Sequence, residues 1–197
     1  MGRVKGRRAI YAFAKKGRVR YLVIFNIYGS SAVLQALRVI AEGGVRRVFF
    51  LGSMGAKNLD IGKVVLPTAV IDKTGLVHID TPGKSIVVPS ASTINKERGS
   101  LKRLCINYAE GKIISVPAPL HNMDHIHSLK LSDPEIQGEE MELSTFYHFS
   151  QKDRLSHFAL LYVSDNKKVH LTSDKKSVMK SRREGLRNAT RVALDIL

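Results

Sequence analysis

The sequence predicts an α/β protein, and three consecutive segments support this fold class. Residues 19–27 form a nearly continuous run of β-branched and aromatic side chains, typical of a strand covered on both faces. The next segment has the spacing of a helix, whose apolar side is formed by Val33, Leu37 and Ile40. Residues 45–51 are a second apolar run. Because short turns join the three segments, we expect a βαβ unit with its two strands paired in parallel.

Serine and glycine residues mark the ends of these elements. Ser30 or Ser31 is expected to cap the helix, and Gly43-Gly44 to end it. Residues 52–56, Gly-Ser-Met-Gly-Ala, follow the second strand and predict a glycine-flanked turn. Ligands of open α/β sheets bind at such turns, because backbone N–H groups point outward and glycine allows close approach. An ordinary tight turn is the alternative.

The middle of the chain continues the alternation of strands and helices. We expect, in order, a strand at residues 64–72, a loop at residues 73–84, a helix at residues 93–109 and a strand at residues 112–117. Pro67 indicates an irregularity or a sheet edge in the first of these strands. The core side of the helix is expected to carry Leu101, Leu104 and Cys105.

A carboxylate at the start of an apolar helix raises the question of its partner. If Glu142 opens a helix, then Thr145, Phe146 and Phe149 share its side, and that side is directed to the core. An inward carboxylate needs a buried donor in the protein, or the hydroxyls or cation of a ligand. The simpler interpretation is an acidic first turn that favours the helix dipole, and Glu142 alone favours that interpretation.

The C-terminal third predicts one strand and one helix. Residues 157–163 form a buried strand that ends at Asp165, where the glycine segment is also expected to lie, so the two could face one cleft. A plain strand-ending turn is the alternative. Ser173 or Asp174 is expected to cap the last helix. Its apolar side is formed by Leu186, Ala189, Ala193 and Ile196.

The composition indicates one domain over residues 1–197. A hydrophobic content of 44% without repeats suits a single core. No window approaches the ~18 consecutive apolar residues of a membrane span, and residues 1–8 lack the apolar part of a secretory signal. Cys105 is the only cysteine, which excludes an internal disulfide framework and fits a reducing compartment. We therefore expect a soluble cytoplasmic protein.

The net charge of +15 is the strongest oddity of the composition. It raises the prospect of nucleic acid or of anionic small substrates as partners. The basic residues are densest at residues 3–20 and 167–191, and neither region interleaves the aromatic residues that stack on bases. We therefore expect a solvated basic side on the last helix and no nucleic-acid partner. An oligomer contact or an anion site is the alternative for that side.

Three histidines and an aspartate lie close together in residues 121–127. They are His121, Asp124, His125 and His127. Their spacing does not fit one metal unless the segment is an extended strand, and no second ligand cluster is evident. We expect a polar loop or a lid over a pocket, and no metal site.

Three segments taken together resemble the nucleoside phosphorylase family, that is, the hexameric purine nucleoside and uridine phosphorylases and their nucleosidase relatives. They are residues 48–56, the Glu140-Met141-Glu142 segment and Val163-Ser164-Asp165. Residues 61–69 also resemble the family's Gly-x-Val-Val-x-Pro strand. The order and approximate spacing match, and the likeness covers residues 4–197.

The resemblance implies a three-layer α/β/α sandwich around a twisted mixed sheet, assembled as a homo-oligomer, either a dimer or a hexamer. It implies cleavage of the N-glycosidic bond of purine nucleosides or uridine, as in purine salvage. The partner is then a small-molecule nucleoside, with inorganic phosphate as a possible co-substrate and no cofactor. Hydrolysis by water, and nucleoside or nucleotide binding without catalysis, stay as alternatives.

The resemblance also assigns roles at the sugar and the base. Glu142 matches the carboxylate that holds the ribose hydroxyls, Met141 packs against the sugar, and Glu140 lies alongside. These groups suit a ribose that develops oxocarbenium character. The aromatic residue that stacks on the base in the family corresponds to Leu120 or His121.

Asp165 matches the general acid that protonates the departing base, with Ser164 beside it. An acid of this kind needs a raised pKa, which burial in a cleft can supply. The histidine that usually follows the catalytic aspartate is Asn166 in this chain.

The phosphate half of the site departs from the family. Ser53 and Gly52, with neighbouring backbone N–H groups, match the phosphate-binding turn. The family's N-terminal Gly-Asp-Pro-x-Arg loop has no counterpart in the sequence, a second arginine is replaced by Phe50, and a third by Lys5. Each lost arginine removes charge-assisted hydrogen bonds of about 1.5–3 kcal/mol. We therefore expect inefficient phosphorolysis.

Overall fold

The computed structural model describes residues 10–16, 19–25, 27–56, 58–118 and 133–197. Within these residues there are eight strands and five helices. The strands are β1 Ile10–Lys16, β2 Val19–Phe25, β3 Arg47–Ala56, β4 Val64–Asp72, β5 Ile86–Val87, β6 Tyr108–Ser115, β7 Ile136–Glu140 and β8 Ser156–Asn166. The helices are α1 Ser30–Glu42, α2 Leu76–Asp80, α3 Ala91–Arg103, α4 Leu143–Lys152 and α5 Lys176–Ile196.

A mixed six-stranded sheet in the order β5-β4-β6-β7-β3-β8 forms the centre of the molecule. The pairs β4–β6, β6–β7 and β3–β8 are parallel, and β3–β7 and β4–β5 are antiparallel. A further antiparallel contact of β4 with β8 curls the sheet towards a barrel. The sequence-based prediction of an α/β fold with a mixed sheet is confirmed.

Helices cover the sheet on both faces, each through its own apolar cluster. One cluster joins Val33 and Leu37 of α1 and Phe146 of α4 to the sheet. The other joins Leu101 of α3 and Ala189 of α5 to the opposite face. This arrangement is the three-layer α/β/α sandwich that the resemblance implies. None of the helices in the described part of the chain is long and apolar enough to cross a membrane.

The predicted parallel pairing of the first two apolar runs is wrong. β2 pairs along its whole length with β1 in a separate antiparallel two-stranded sheet, and β3 pairs with β7 and β8. Leu22 and Val23 of β2 are 41% and 36% exposed, so this strand is not covered on both faces. β1 precedes β2 closely in the chain, and a local antiparallel pairing satisfies the strand's hydrogen bonds without a crossover.

The predicted turn at residues 52–56 is also wrong, because β3 continues through Ala56 beside β8. Glycine serves close packing here. A Cβ atom on Gly52 would lie 2.5 Å from Cε1 of Phe50 and 2.8 Å from Cδ2 of Leu161. A glycine-rich strand interior and a glycine turn share the same composition, so the sequence alone did not separate them.

The helix starts differ from the predictions because backbone geometry decides them. Gly29, with φ 85°, is the N-cap of α1, and the hydroxyl of Ser30 donates to the carbonyl of Met141 at 2.7 Å. The prediction of Ser30 or Ser31 as the cap is therefore wrong. Lys175 replaces the predicted Ser173 or Asp174 at the start of α5. Gly43 ends α1 as predicted.

The middle segments mix correct and wrong predictions. β4 has the predicted bounds, and its register shifts between Pro67 and Ala69. Because β4 has neighbours on both sides, the irregularity is confirmed and the edge is not.

The predicted loop contains α2, and α3 ends at Arg103, which leaves Cys105 exposed with φ 53°. On the predicted apolar side of α5, Ala189 and Ala193 are buried, whereas Leu186 is 42% exposed.

α3 protects the edge of β8 that β4 does not reach. Thr93 Oγ1 donates to the carbonyl of His157 at 3.2 Å, and the N–H of Ala159 donates to Glu97 Oε1 at 2.6 Å. Glu97 is fully buried, and burial raises its pKa to about 8. Side chains of a helix therefore satisfy strand groups that would otherwise be open to edge pairing.

Gly138 lets β7 approach β3, and this contact leads to the first testable prediction. A Cβ atom on Gly138 would lie 2.1 Å from the carbonyl oxygen of Gly55 and 2.3 Å from Cε of Met54. We expect Gly138→Ala to lower the free energy of unfolding by about 1–3 kcal/mol, as overpacking does. Urea denaturation followed by circular dichroism measures this change.

Gly99→Ala is the matched control for that substitution. Gly99 lies inside α3, and a Cβ atom there would meet no atom within 4 Å. This variant should gain up to about 1 kcal/mol from helix propensity. Equal midpoints for the two variants would show that β7 and β3 do not approach as closely as described.

Candidate active site

Gly55 is the point at which the predicted site segments meet. β3 lies between β7 and β8, so Gly55 pairs with Glu139 on one side and with Asp165 on the other. Neighbouring strands are about 4.8 Å apart, and directly opposite residues point to the same face. A Cβ atom on Gly55 would lie only 3.1 Å from Asp165 Oδ2. The absence of this atom leaves room for two carboxylates on one face of the sheet.

A bulge in β8 directs Asp165. Met54 pairs with Val163 and Gly55 with Asp165, which leaves Ser164 as the extra residue. Ser164 Oγ lies 2.6 Å from Asp165 Oδ1 and 3.2 Å from the carbonyl of Met54. The hydroxyl can donate to an ionised Asp165, or accept from a protonated one while it donates to Met54. Both protonation states of the aspartate are therefore satisfied.

Arg182 holds the backbone at this strand end. Its guanidinium donates to the carbonyl oxygens of Ser164 at 2.7 Å, Ser173 at 2.8 Å and His170 at 3.0 Å. Asn166 closes the end by donating to the carbonyl of Leu59 at 2.9 Å. Arg182 belongs to the helix whose basic side is predicted from the sequence to be solvated. The packing of α5 against β8 brings Arg182 to these carbonyl oxygens, and this contact distinguishes it from the other cations of the helix.

Glu139 is a second carboxyl group at the site, and the sequence analysis missed it. It is only 9% exposed, and its Oε2 has no hydrogen-bond partner among the described residues. Burial, with a smaller contribution from the charge of Asp165, raises the pKa of Glu139 to about 7. The signal in the sequence that could have identified Glu139 is its position directly before Glu140-Met141-Glu142.

Glu140 holds the start of α4. Its Oε2 accepts from the N–H groups of Glu142 at 2.6 Å and Leu143 at 2.7 Å, and its Oε1 accepts from the hydroxyl of Ser115. Burial raises the pKa of Glu140 to about 8, while these hydrogen bonds act in the opposite direction. A carboxylate at a helix N-terminus also complements the helix dipole.

Glu142 is the N-cap residue of α4, as predicted for the residue that opens this helix. Its Oε1 accepts from the N–H of Gly29 at 2.5 Å, so the inward carboxylate has a donor within the protein. Burial raises the pKa of Glu142, and the hydrogen bond from Gly29 opposes that shift. The helix side that carries Thr145, Phe146 and Phe149 is buried, as predicted.

Met141 connects this segment to the rest of the sheet. Its half-buried side chain packs against the apolar cluster of Ile114, Val116 and Ile136. Its carbonyl accepts from the hydroxyl of Ser30 at the start of α1. The starts of α1 and α4 therefore meet at Met141 and Glu142.

Gly52 and Ser53, two of the predicted phosphate-binding residues, lie in a strand and not in a turn. Gly52 and Ser53 lie within β3, where N–H groups point alternately to the two sides of the strand and do not converge on one point. Ser53 is exposed and lies opposite Tyr162 of β8 in the sheet. Phe50, which replaces a family arginine, packs with its ring 5.3 Å from that of Phe146.

Several predicted residues lie outside the described part of the chain. They are Lys5, Leu120, His121, Asp124, His125 and His127. Among the described residues no group of three or more His, Cys, Asp or Glu side chains could hold a metal ion. Two surface clefts of about 300 and 430 Å³ share Gln151 near the C-terminal end of α4, and no predicted site residue lines either.

Comparisons with known proteins agree with the fold. The family model described as phosphorylase superfamily matches residues 2–197. No curated protein matches the chain. Because the three solved structures described next are less than 25% identical to this chain, their likeness concerns the fold.

Three solved structures illustrate that likeness. A 5'-methylthioadenosine/S-adenosylhomocysteine nucleosidase from Neisseria meningitidis has a TM-score of 0.77 and 17% identity, and the match covers 98% of this chain and 87% of that one. A purine nucleoside phosphorylase from Toxoplasma gondii has a TM-score of 0.82 and 18% identity, with 98% and 79% covered. A uridine phosphorylase from Vibrio fischeri ES114 has a TM-score of 0.84 and 15% identity, with 98% and 81% covered.

The raised pKa of Glu139 predicts a pH-dependent stability. The folded protein keeps its proton up to about pH 7, whereas the unfolded chain loses it near the ordinary value of 4.5. This contribution to stability is therefore present below the unfolded pKa and is lost as the pH rises through the folded one. Glu139→Gln should leave stability nearly unchanged at pH 4 and increase it by about 1–3 kcal/mol at pH 8.

Urea denaturation at both pH values tests this prediction. Glu42→Gln, an exposed glutamate on α1, is the matched control and should show the pH dependence of the wild type. If Glu139→Gln gave the same difference from the wild type at pH 4 and pH 8, Glu139 would not keep its proton in the folded protein.

Proposed function

The chain belongs to the phosphorylase superfamily, and we propose that it cleaves the N-glycosidic bond of nucleosides and releases the free base from ribose. The pairing of Gly55 with both Glu139 and Asp165 carries this proposal. It supports a site in which the residue that protonates the base and the segment that binds the sugar come from the two strands that flank β3.

The start of α4 suits the ribose half of the reaction. Glu142 would hold the sugar hydroxyls, and the side chain of Met141 would pack against the sugar. Glu140 is a positioning residue, because its carboxylate is occupied by Ser115 and by the N–H groups of Glu142 and Leu143. Glu142, held by the N–H of Gly29 and by Glu140, is then an acceptor whose position needs no reorganisation when the ribose binds.

Asp165 suits the role of general acid towards the departing base. The hydroxyl of Ser164 can hydrogen-bond to Asp165 in either protonation state. This suits a general acid, which gives up and regains a proton. Glu139 lies on the same face, and two nearby carboxyl groups disfavour the doubly ionised state. Burial and the charge of Asp165 raise the pKa of Glu139 to about 7, so Glu139 holds a proton beside Asp165 near neutral pH.

Water is the attacking group that the geometry favours. The strand conformation of Gly52 and Ser53 supplies no converging N–H groups, and Phe50 contributes an apolar ring where the family has an arginine. Several similar structures are described as nucleosidases, which supports the same choice. Phosphorolysis is the second candidate, with Ser53, Gly52 and Lys5 as its phosphate-binding residues. Purines and uracil are the candidate bases under either reaction.

An assay of base release distinguishes the two reactions. We expect inosine, adenosine or uridine to yield free base and ribose at rates that do not change when phosphate is added, because water attacks the sugar. Chromatography of the base and of the sugar product measures both outcomes. Formation of ribose 1-phosphate, with a rate that rises with phosphate, would instead establish phosphorolysis.

Substitution of the acid tests the assignment within the site. Asp165→Asn should lower kcat about 10²–10⁴-fold, the range that general acid catalysis contributes. Glu142→Gln should raise KM as well as lower kcat, because the sugar hydroxyls lose an anionic acceptor. Gly99→Ala is the control and should keep wild-type rates. Unchanged turnover in Asp165→Asn would exclude it as the acid.

A further inference from the structure

Five cations form one line along α5. They are Lys176, Lys180, Arg183, Arg187 and Arg191, and all five are exposed. Their spacings of four, three, four and four residues place them within an arc of about 80° at 100° per residue. We call this set the α5 basic stripe. At 1.5 Å per residue it is about 22 Å long.

The stripe has little compensating negative charge. None of its five members forms an ion pair with another described residue. Glu184 is exposed beside the stripe, four residues after Lys180 and three before Arg187, so it offsets one of the five positive charges. The carboxylate of Asp195 already accepts from Ser100 and Arg103. Successive cations on such a line are about 5–6 Å apart and repel one another. A polyanion laid along the stripe would remove this repulsion.

The opposite side of α5 is fixed in the core. Its buried residues are Val178, Gly185, Ala189, Val192 and Ala193. A Cβ atom on Gly185 would lie 2.6 Å from the carbonyl oxygen of Gly62, so the helix packs closely against the body of the protein. A basic helix on a membrane surface inserts its apolar side into the lipid. The apolar side of α5 is already buried in the protein core, which argues against a membrane as the partner.

We propose that the α5 basic stripe binds the phosphate backbone of a nucleic acid without regard to sequence. A duplex carries one negative charge per about 1.7 Å of its axis, so many phosphates lie within reach of a 22 Å line of cations. A free nucleotide has too few charges to meet more than one or two of them. α5 has no aromatic residue to stack on bases. The linear, unpaired arrangement of these cations favours a polyanion over the solvated side that the sequence predicts.

Salt dependence tests the proposal on the intact chain. A fluorescent 20-base-pair duplex and its single strand, both of mixed sequence, are titrated by anisotropy between 50 and 300 mM salt. With five phosphates neutralised, the slope of log K against log salt concentration should be about −4 to −5 for the duplex. Scrambling the sequence should not change the affinity. A slope near zero, or no binding at 50 mM salt, would overturn the proposal.

Two variants of equal net charge separate the stripe from the overall charge. Arg183→Gln with Arg187→Gln removes two stripe cations and should reduce the magnitude of the slope by about 2. Arg38→Gln with Lys73→Gln removes two exposed cations from α1 and from the residue after β4, and should leave the slope unchanged. Equal losses in the two variants would mean that only net charge matters, which would overturn the proposal.

Vesicles and folding controls complete the experiment. Binding to phosphatidylserine vesicles without binding to oligonucleotides would contradict the proposal and indicate a membrane partner. Circular dichroism and urea midpoints of both variants should match the wild type, because glutamine favours helices and the replaced residues are exposed. The expected binding does not involve Asp165 or Glu142, so Asp165→Asn should bind the duplex as the wild type does.

Discussion

The close approach of three strands at Gly55 is the constraint on which the candidate site depends. Gly138 brings the backbone of β7 against the carbonyl of Gly55, and Gly55 in turn leaves space for the carboxylate of Asp165. Each missing Cβ atom removes an obstacle that would push a strand or a side chain away. Two acidic groups from different strands therefore share one face of the sheet, and burial together with the charge of Asp165 raises the pKa of Glu139.

The starts of two helices supply the second organising feature. The N–H of Gly29, at the start of α1, donates to Glu142, and Glu140 accepts from the first N–H groups of α4. Negative charge is favourable at both helix ends, which offsets part of the cost of burying these carboxylates. The same contacts fix the position of the segment assigned to the sugar. Stability and the proposed binding of ribose thus depend on one set of hydrogen bonds.

The two halves of the site differ in how well they fit the superfamily's chemistry. The groups assigned to base and sugar are held by specific contacts from β7, β8 and α4. The glycine segment assigned to phosphate is a strand, and its neighbour Phe50 belongs to an aromatic contact with Phe146. α5 contributes a residue to this site and also carries exposed cations on the surface. Arg182 supports the backbone of Ser164, whereas the basic stripe faces solvent on another side of the same helix.

Features that depend on local spacing are predictable from the amino-acid sequence. The α/β class, the bounds of β4, the apolar side of α1 and the opening of α4 at Glu142 all follow from periodicity over a few residues. Tertiary structure alone decided which strands pair and which carboxylates meet. Gly29 and Glu142 are 113 residues apart, and the role of Glu139 exists only because β3 lies between β7 and β8. Such contacts arise from the close packing of distant segments, and a local pattern does not encode them.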